Sequence, residues 1–167
     1  MPYQASYVAR IREKIGHDTL LVMPTIDVVI EKDNQLMLIY NRDFKGWAFP
    51  GGYVEPEMSW QENASREAFE EAGVVVDPNR LQLIGAASGP NFQAKYANGD
   101  TTQLFTNVFL ATDVQSESQN IDMTEIDQKK WMSKEALKTA NLTFSGRAVY
   151  EIYRQYQRTQ QAQSLKI

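Results

Sequence analysis

The chain has 167 residues, 43% of them apolar and 23% charged, enough to bury one sizeable core. It holds no cysteine, which excludes disulfides and thiolate metal sites, and its formal charge of −4 gives no global attraction to nucleic acid. No apolar run reaches membrane-spanning length and the first residues lack a signal-peptide core, so a single cytoplasmic domain over 1–167 is expected, with no membrane or nucleic-acid partner.

Val8, Ile11 and Ile15 fall on one side of a helix over Tyr7–Ile15 that Gly16 closes. Its first reading is packing; covering an active-site rim, or a second copy in a homodimer, is the alternative. His17 is the only histidine, has no ligand companion nearby, and is expected at the surface. Residues 20–30 are rich in Val, Ile and Thr and predict a strand, with Pro24 arguing for an edge or a bend. A hairpin turn over 31–35 returns the chain as a strand over 36–40. A loop over 41–46 then leads through Trp47, Ala48 and Phe49 into Pro50-Gly51-Gly52. Arg42 and Lys45 are ordinary loop charges unless a phosphate site lies beside them, where they become candidate contacts.

Residues 59–73 carry the strongest local signals. Ser59 followed by Glu62 forms a capping box, and Gly73 sits where a helix turns into the left-handed region. Between them Trp60, Ala64, Ala68 and Ala72 recur every four residues as a narrow stripe, which predicts close packing against a neighbour. Glu67, Glu70 and Glu71 lie within about a hundred degrees of one another on the same helix. Such clustered charges repel unless hard divalent cations sit among them; a solvated acidic face, with Arg66 paired to Glu70 or Glu62, is the plain alternative.

Further on, Asp77-Pro78-Asn79 is a turn, and 81–88 predicts a strand in which Gly85 permits a bulge. Residues 91–100 suit a hairpin turning at Asn98-Gly99, with Phe92 and Tyr96 as loop packing or, alternatively, base-stacking groups. A buried strand follows over 104–111, a polar loop over 113–127, and a short strand over 130–132. Ser133 caps a helix running through Ala140. A last helix from about Ser145 places Val149, Ile152, Tyr153 and Tyr156 on one face and frays at its Gln-rich end. Strands and helices in this order suit an α/β fold with helices on both sides of a mixed sheet.

Gly52, then Met58, then Arg66-Glu67-Ala68-Phe69-Glu70-Glu71-Ala72-Gly73-Val74 resembles the signature of the Nudix hydrolase family, G-x5-E-x7-R-E-U-x-E-E-x-G-U. Gly52, Arg66, Glu67, Glu70, Glu71, Gly73 and Val74 match at the family spacing, and residues 46–51 resemble its usual approach to the box. Met58 stands where the family has its first glutamate, which helps hold the signature arginine, and Ala68 is small for an aliphatic position. Glu57 or Glu62 are the candidate replacement partners for Arg66.

The resemblance implies an α/β/α sandwich with the box as loop–helix–loop, and hydrolysis of a nucleoside diphosphate linked to another moiety with Mg²⁺ or Mn²⁺. It implies Glu67, Glu70 and Glu71 as metal ligands beside a backbone carbonyl of Gly51, with Arg66 orienting Glu67. A further loop acid is implied ahead of Trp131; among Asp122, Glu125 and Asp127, Glu125 is the expectation. Pro90 lies at a spacing resembling some ADP-ribose pyrophosphatases, and a nucleoside triphosphate is the comparable alternative. A Nudix-fold binding or regulatory module is the rival class, which the Met58 departure makes conceivable.

Overall fold

The computed structural model describes residues 6–118 and 126–167. In chain order its elements are α1 (Tyr7–Ile15), β1 (Leu21–Lys32), β2 (Gln35–Asn41), β3 (Gly46–Ala48), β4 (Gly51–Tyr53), α2 (Trp60–Ala72) and β5 (Val74–Val76). There follow β6 (Gln82–Lys95), β7 (Thr101–Ala111), β8 (Val114–Glu117), β9 (Ile126–Ser133), α3 (Lys134–Leu137), α4 (Phe144–Thr159) and β10 (Gln163–Lys166).

A mixed sheet runs β10-β6-β7-β1-β2-β3, with β4 pairing β1 and β9 pairing β2. β1 and β2 are joined by a turn whose two central residues, Asp33 and Asn34, both have positive φ, the geometry that matches strand twist. β6 and β7 close at Asn98-Gly99, as the dipeptide predicts.

Alternation along β1 sorts side chains to two faces. Ile26, Val28 and Ile30, with Met37 and Ile39 of β2, meet Ala64, Ala68 and Ala72 of α2, all fully buried. Val29, with Leu36 and Leu38, faces Val149, Ile152 and Tyr153 of α4. The result is an α/β/α sandwich. The alanine stripe lets α2 lie close on the sheet; a larger residue at Ala68 would overpack the contact by about 1–3 kcal/mol. Truncating Ile152 to Ala would cost about 2–5 kcal/mol.

Several expectations are corrected. β1 is interior, not an edge: it pairs β7 in parallel over Leu21–Ile30 and β4 on its other side. Pro24 survives there because its nitrogen faces the β4 side, where β4 gives way and only Val54 N–H reaches the Pro24 carbonyl. Gly51–Tyr53 is a short strand rather than loop, since the absence of a side chain on Gly51 lets it pair closely with Ile26 and Asp27. Trp60 leaves the alanine stripe and is 40% exposed.

Residues 114–117 form β8 and pair antiparallel with β5, Val114 half-buried and Gln115, Ser116 and Glu117 exposed. The helix that Ser133 caps ends at Leu137, short of Ala140. The Gln-rich end does not fray: Gln160 caps α4 in the left-handed region and β10 then pairs β6 in parallel. Among the described residues no helix is long and apolar enough to cross a membrane.

Candidate active site

The site is built where α2 meets β4. Ser59 starts α2 with both halves of a capping box: its Oγ accepts from Glu62 N–H at 3.2 Å, and Glu62 Oε2 accepts from Ser59 N–H at 2.7 Å. Gly73 ends it at φ 65°, donating its N–H to the carbonyls of Ala68 and Phe69. Held at both ends and pressed on the sheet, α2 turns Glu67 and Glu71 inward, each 8% exposed. Glu71 Oε2 accepts from Gly51 N–H at 2.8 Å, tying α2 to β4. A Cβ on Gly52 would lie 2.6 Å from Glu67 Oε1, so the β4 backbone and this carboxylate occupy adjoining space.

Arg66 joins the carboxylates. Its Nη1 donates to Glu70 at 2.9 Å and its Nη2 lies 2.7 Å from Glu67 Oε1. Burial pushes the Glu67 carboxyl up to about 7, opposed by the Arg66 charge and assisted by the neighbouring Glu70. Glu62 is not the partner of Arg66: the capping box occupies its carboxylate. Glu57 stands exposed at φ 65° in the preceding loop and does not replace the missing glutamate either. Nη2 reaches the Tyr53 carbonyl at 3.2 Å and Asn63 Oδ1 at 3.4 Å instead.

A cavity of about 500 Å³ opens from this corner. Glu67, Glu70, Glu71, Gly51 and Gly52 are among the residues lining it, together with Phe44, Tyr96 and Phe144. Phe44 packs against Tyr96 and Phe144 at 5.5 and 5.4 Å between ring centres, and Tyr96 OH shares a hydrogen bond with Tyr53 OH at 2.9 Å. Phe92, by contrast, is a fully buried core residue.

Helix α1 both packs and forms part of the wall: Val8 is buried with Leu21 and Met23, and Ser6, Val8 and Arg12 line the cavity. Glu55 accepts from Tyr7 N–H at 2.9 Å, and Arg12 lies 3.5 Å from Asp100 while donating to the carbonyls of Thr19 and Thr101. His17 is 60% exposed at its side chain, yet its Nδ1 sits 2.7 Å from Asp100. Burial alone would raise the Asp100 carboxyl; hydrogen bonds from His17 and Asn98 and the Arg12 charge together hold it below the usual carboxylate range.

Asp27 is the acid that the sequence reading missed. It lines the cavity from β1, accepts from Thr106 Oγ1 at 2.6 Å, and burial pushes it up to about 7 against that hydrogen bond. A lone acid inside the apolar run Thr25-Ile26-Asp27-Val28-Val29 was the available signal.

Arg42 and Lys45 are not among the residues lining the cavity. Arg42 closes on Asp127 at 2.8 Å, and the Lys45 carbonyl accepts from Asn141. Asp122 and Glu125 lie outside the described residues. Among the described residues no three acidic side chains stand close enough to hold a metal ion as they lie, because Arg66 draws Glu67 and Glu70 while Glu71 turns to Gly51. The donor set itself is all oxygen, and the side-chain-free Gly52 keeps the approach to Glu67 open, which suits a hard divalent cation once the carboxylates turn from Arg66.

An α/β/α sandwich with a carboxylate-bearing helix set against a glycine strand defines a class, and sequence comparison identifies it. Residues 22–153 match the family model of the NUDIX domain, and the chain belongs to that family. It is similar to an ADP-ribose pyrophosphatase of Methanocaldococcus jannaschii, 42% identical over 69 residues, or 40% of each chain. It is also 35% identical over 66 residues to a putative 8-oxo-dGTP diphosphatase of Bacillus subtilis, covering 40% of this chain and 43% of that one. These matches span about two-fifths of the length of either relative. The fold resembles the NUDIX domain of Shewanella oneidensis NrtR complexed with ADP ribose, with TM-score 0.65 at 18% identity over 90% of this chain and 96% of that one.

Proposed function

We propose that the protein is a metal-dependent pyrophosphohydrolase acting on a nucleoside diphosphate linked to another moiety, with ADP-ribose and nucleoside triphosphates as the substrates to test. The carrying observation is one cavity lined both by Glu67, Glu70 and Glu71 and by the rings of Phe44, Tyr96 and Phe144. That combination suits an anion bearing an aromatic base.

Glu67, Glu70, Glu71 and the Gly51 carbonyl would hold Mg²⁺ or Mn²⁺. The bound ion supplies charge neutralisation at the phosphate oxygens and acidifies water. Glu67 is placed to take the proton of an attacking water, and Arg66, whose Nη2 lies 2.7 Å from it, orients it. Glu125, ahead of β9, is carried as the further acid, and Arg42 and Lys45 as phosphate contacts reached when substrate arrives. A cytoplasmic setting and a homodimer belong to the same proposal.

A binding or regulatory module is the second reading, favoured by Arg66 engaging both Glu67 and Glu70. Turnover of ADP-ribose and a nucleoside triphosphate panel with Mg²⁺, with and without chelator, separates the two. The hydrolase reading expects chelator-sensitive turnover; tight nucleotide binding with no turnover supports the module.

A further inference from the structure

Met58 stands where the family pattern has its first glutamate, and a thioether is only a weak acceptor. Arg66 shows the consequence. Its two terminal nitrogens have partners, but Nε is buried without a hydrogen-bond partner among the described residues.

Asn63, three residues before Arg66 on α2, is fully buried. Its Oδ1 accepts from Glu55 N–H at 2.8 Å, and its Nδ2 donates to the carbonyls of Glu55, Met58 and Ser59 at 3.3, 3.4 and 3.0 Å. An N–H on one side and carbonyls on the other fix the amide orientation. Oδ1 then has its second acceptor direction for Arg66 Nη2, at 3.4 Å. Asn63 thus knots the loop after β4 onto the first turn of α2, and the last residue of β4, Tyr53, supplies the other neutral acceptor to the same Nη2.

We propose that Asn63 is a positioning residue that stands in for the absent glutamate at 58, holding the Arg66 guanidinium through Oδ1 and the Tyr53 carbonyl so that Arg66 fixes the orientation of Glu67. The inference rests on the hydrolase reading for its kinetic consequence, but not for its structural one.

Asn63→Asp keeps the acceptor and loses the donors; Asn63→Ala loses both. Both variants should melt earlier, because both lose the bonds to three carbonyls. The kinetics should divide them: Asn63→Ala lowers kcat about tenfold with KM within about twofold, while Asn63→Asp recovers most of kcat. In metal-free protein, side-chain NMR should show faster Arg66 Nη2–H exchange in Asn63→Ala and wild-type exchange in Asn63→Asp. Adding Met58→Glu to Asn63→Ala should restore both slow exchange and kcat.

Equal kcat losses in the two variants, tracking their melting temperatures, would overturn the proposal, as would unchanged Arg66 exchange in Asn63→Ala. Should the alanine variant not fold, the Met58→Glu, Asn63→Ala pair decides: failure to recover slow exchange there also overturns it. A wild-type protein without turnover would sink the hydrolase reading alone, since the exchange measurement needs no activity.

Discussion

Glu67 Oε1 would lie only 2.6 Å from a Cβ built on Gly52, so the strand and the carboxylate share a space that glycine alone leaves open. Glu67 would have to leave its contact with Arg66 to make room for a methyl group. Gly52→Ala should therefore lower kcat by tenfold or more while moving the melting temperature by only a few degrees, about the effect of 1 kcal/mol in a chain of this size. Steady-state kinetics beside a thermal melt checks this; unchanged kcat would mean that Glu67 need not hold its position.

The pH dependence of stability follows from two raised carboxyls. Asp27 and Glu67 both stand near 7 in the fold, above their ordinary values, so between about pH 4 and 7 the folded state binds more protons than the unfolded one. Stability should therefore fall as pH rises through that window. Asp27→Asn should flatten part of the slope and stabilise the protein at pH 8 more than at pH 4. Urea midpoints across pH measure this, and a variant slope identical to wild type would contradict the burial assigned to Asp27.

The wall that α1 gives the cavity hangs on Asp100. Removing its charge leaves Arg12, 3% exposed at its side chain, without a carboxylate partner among the described residues. Asp100→Asn should cost on the order of 3 kcal/mol and raise KM, since Arg12 and Val8 line the cavity. A chemical denaturation curve and KM for ADP-ribose test both halves. A stable variant with unchanged KM would detach α1 from the site.

What could be read from the chain divides along physical lines. The box helix was legible to its caps, because Ser59, Glu62 and Gly73 act within a few residues of themselves. The hairpins at Asp33-Asn34 and Asn98-Gly99 were legible for the same reason. Pro24 misled, because whether a strand is interior depends on which neighbour needs its N–H, and that is fixed by β4 and β7 far along the chain. Gln163–Lys166 carries no strand signal of its own and is ordered by the free edge of β6. In the site, Glu67, Glu70 and Glu71 were visible as a spacing. Asn63 was not, since an asparagine early in a helix looks like any polar residue until the carbonyls around it are known.

The most direct measurement is product analysis of ADP-ribose and nucleoside triphosphates incubated with Mg²⁺, comparing wild-type protein with Glu71→Gln. Glu71 is tied to β4 through Gly51 N–H, which the amide oxygen of glutamine can still accept, so the fold should survive the loss of charge. The expected result is chelator-sensitive cleavage of a phosphoric anhydride bond by the wild type and loss of most turnover in a variant whose circular dichroism is unchanged. Near wild-type Mg²⁺-dependent cleavage by Glu71→Gln, and likewise by Glu70→Gln and Glu67→Gln, would contradict the assignment of the reaction to this carboxylate helix.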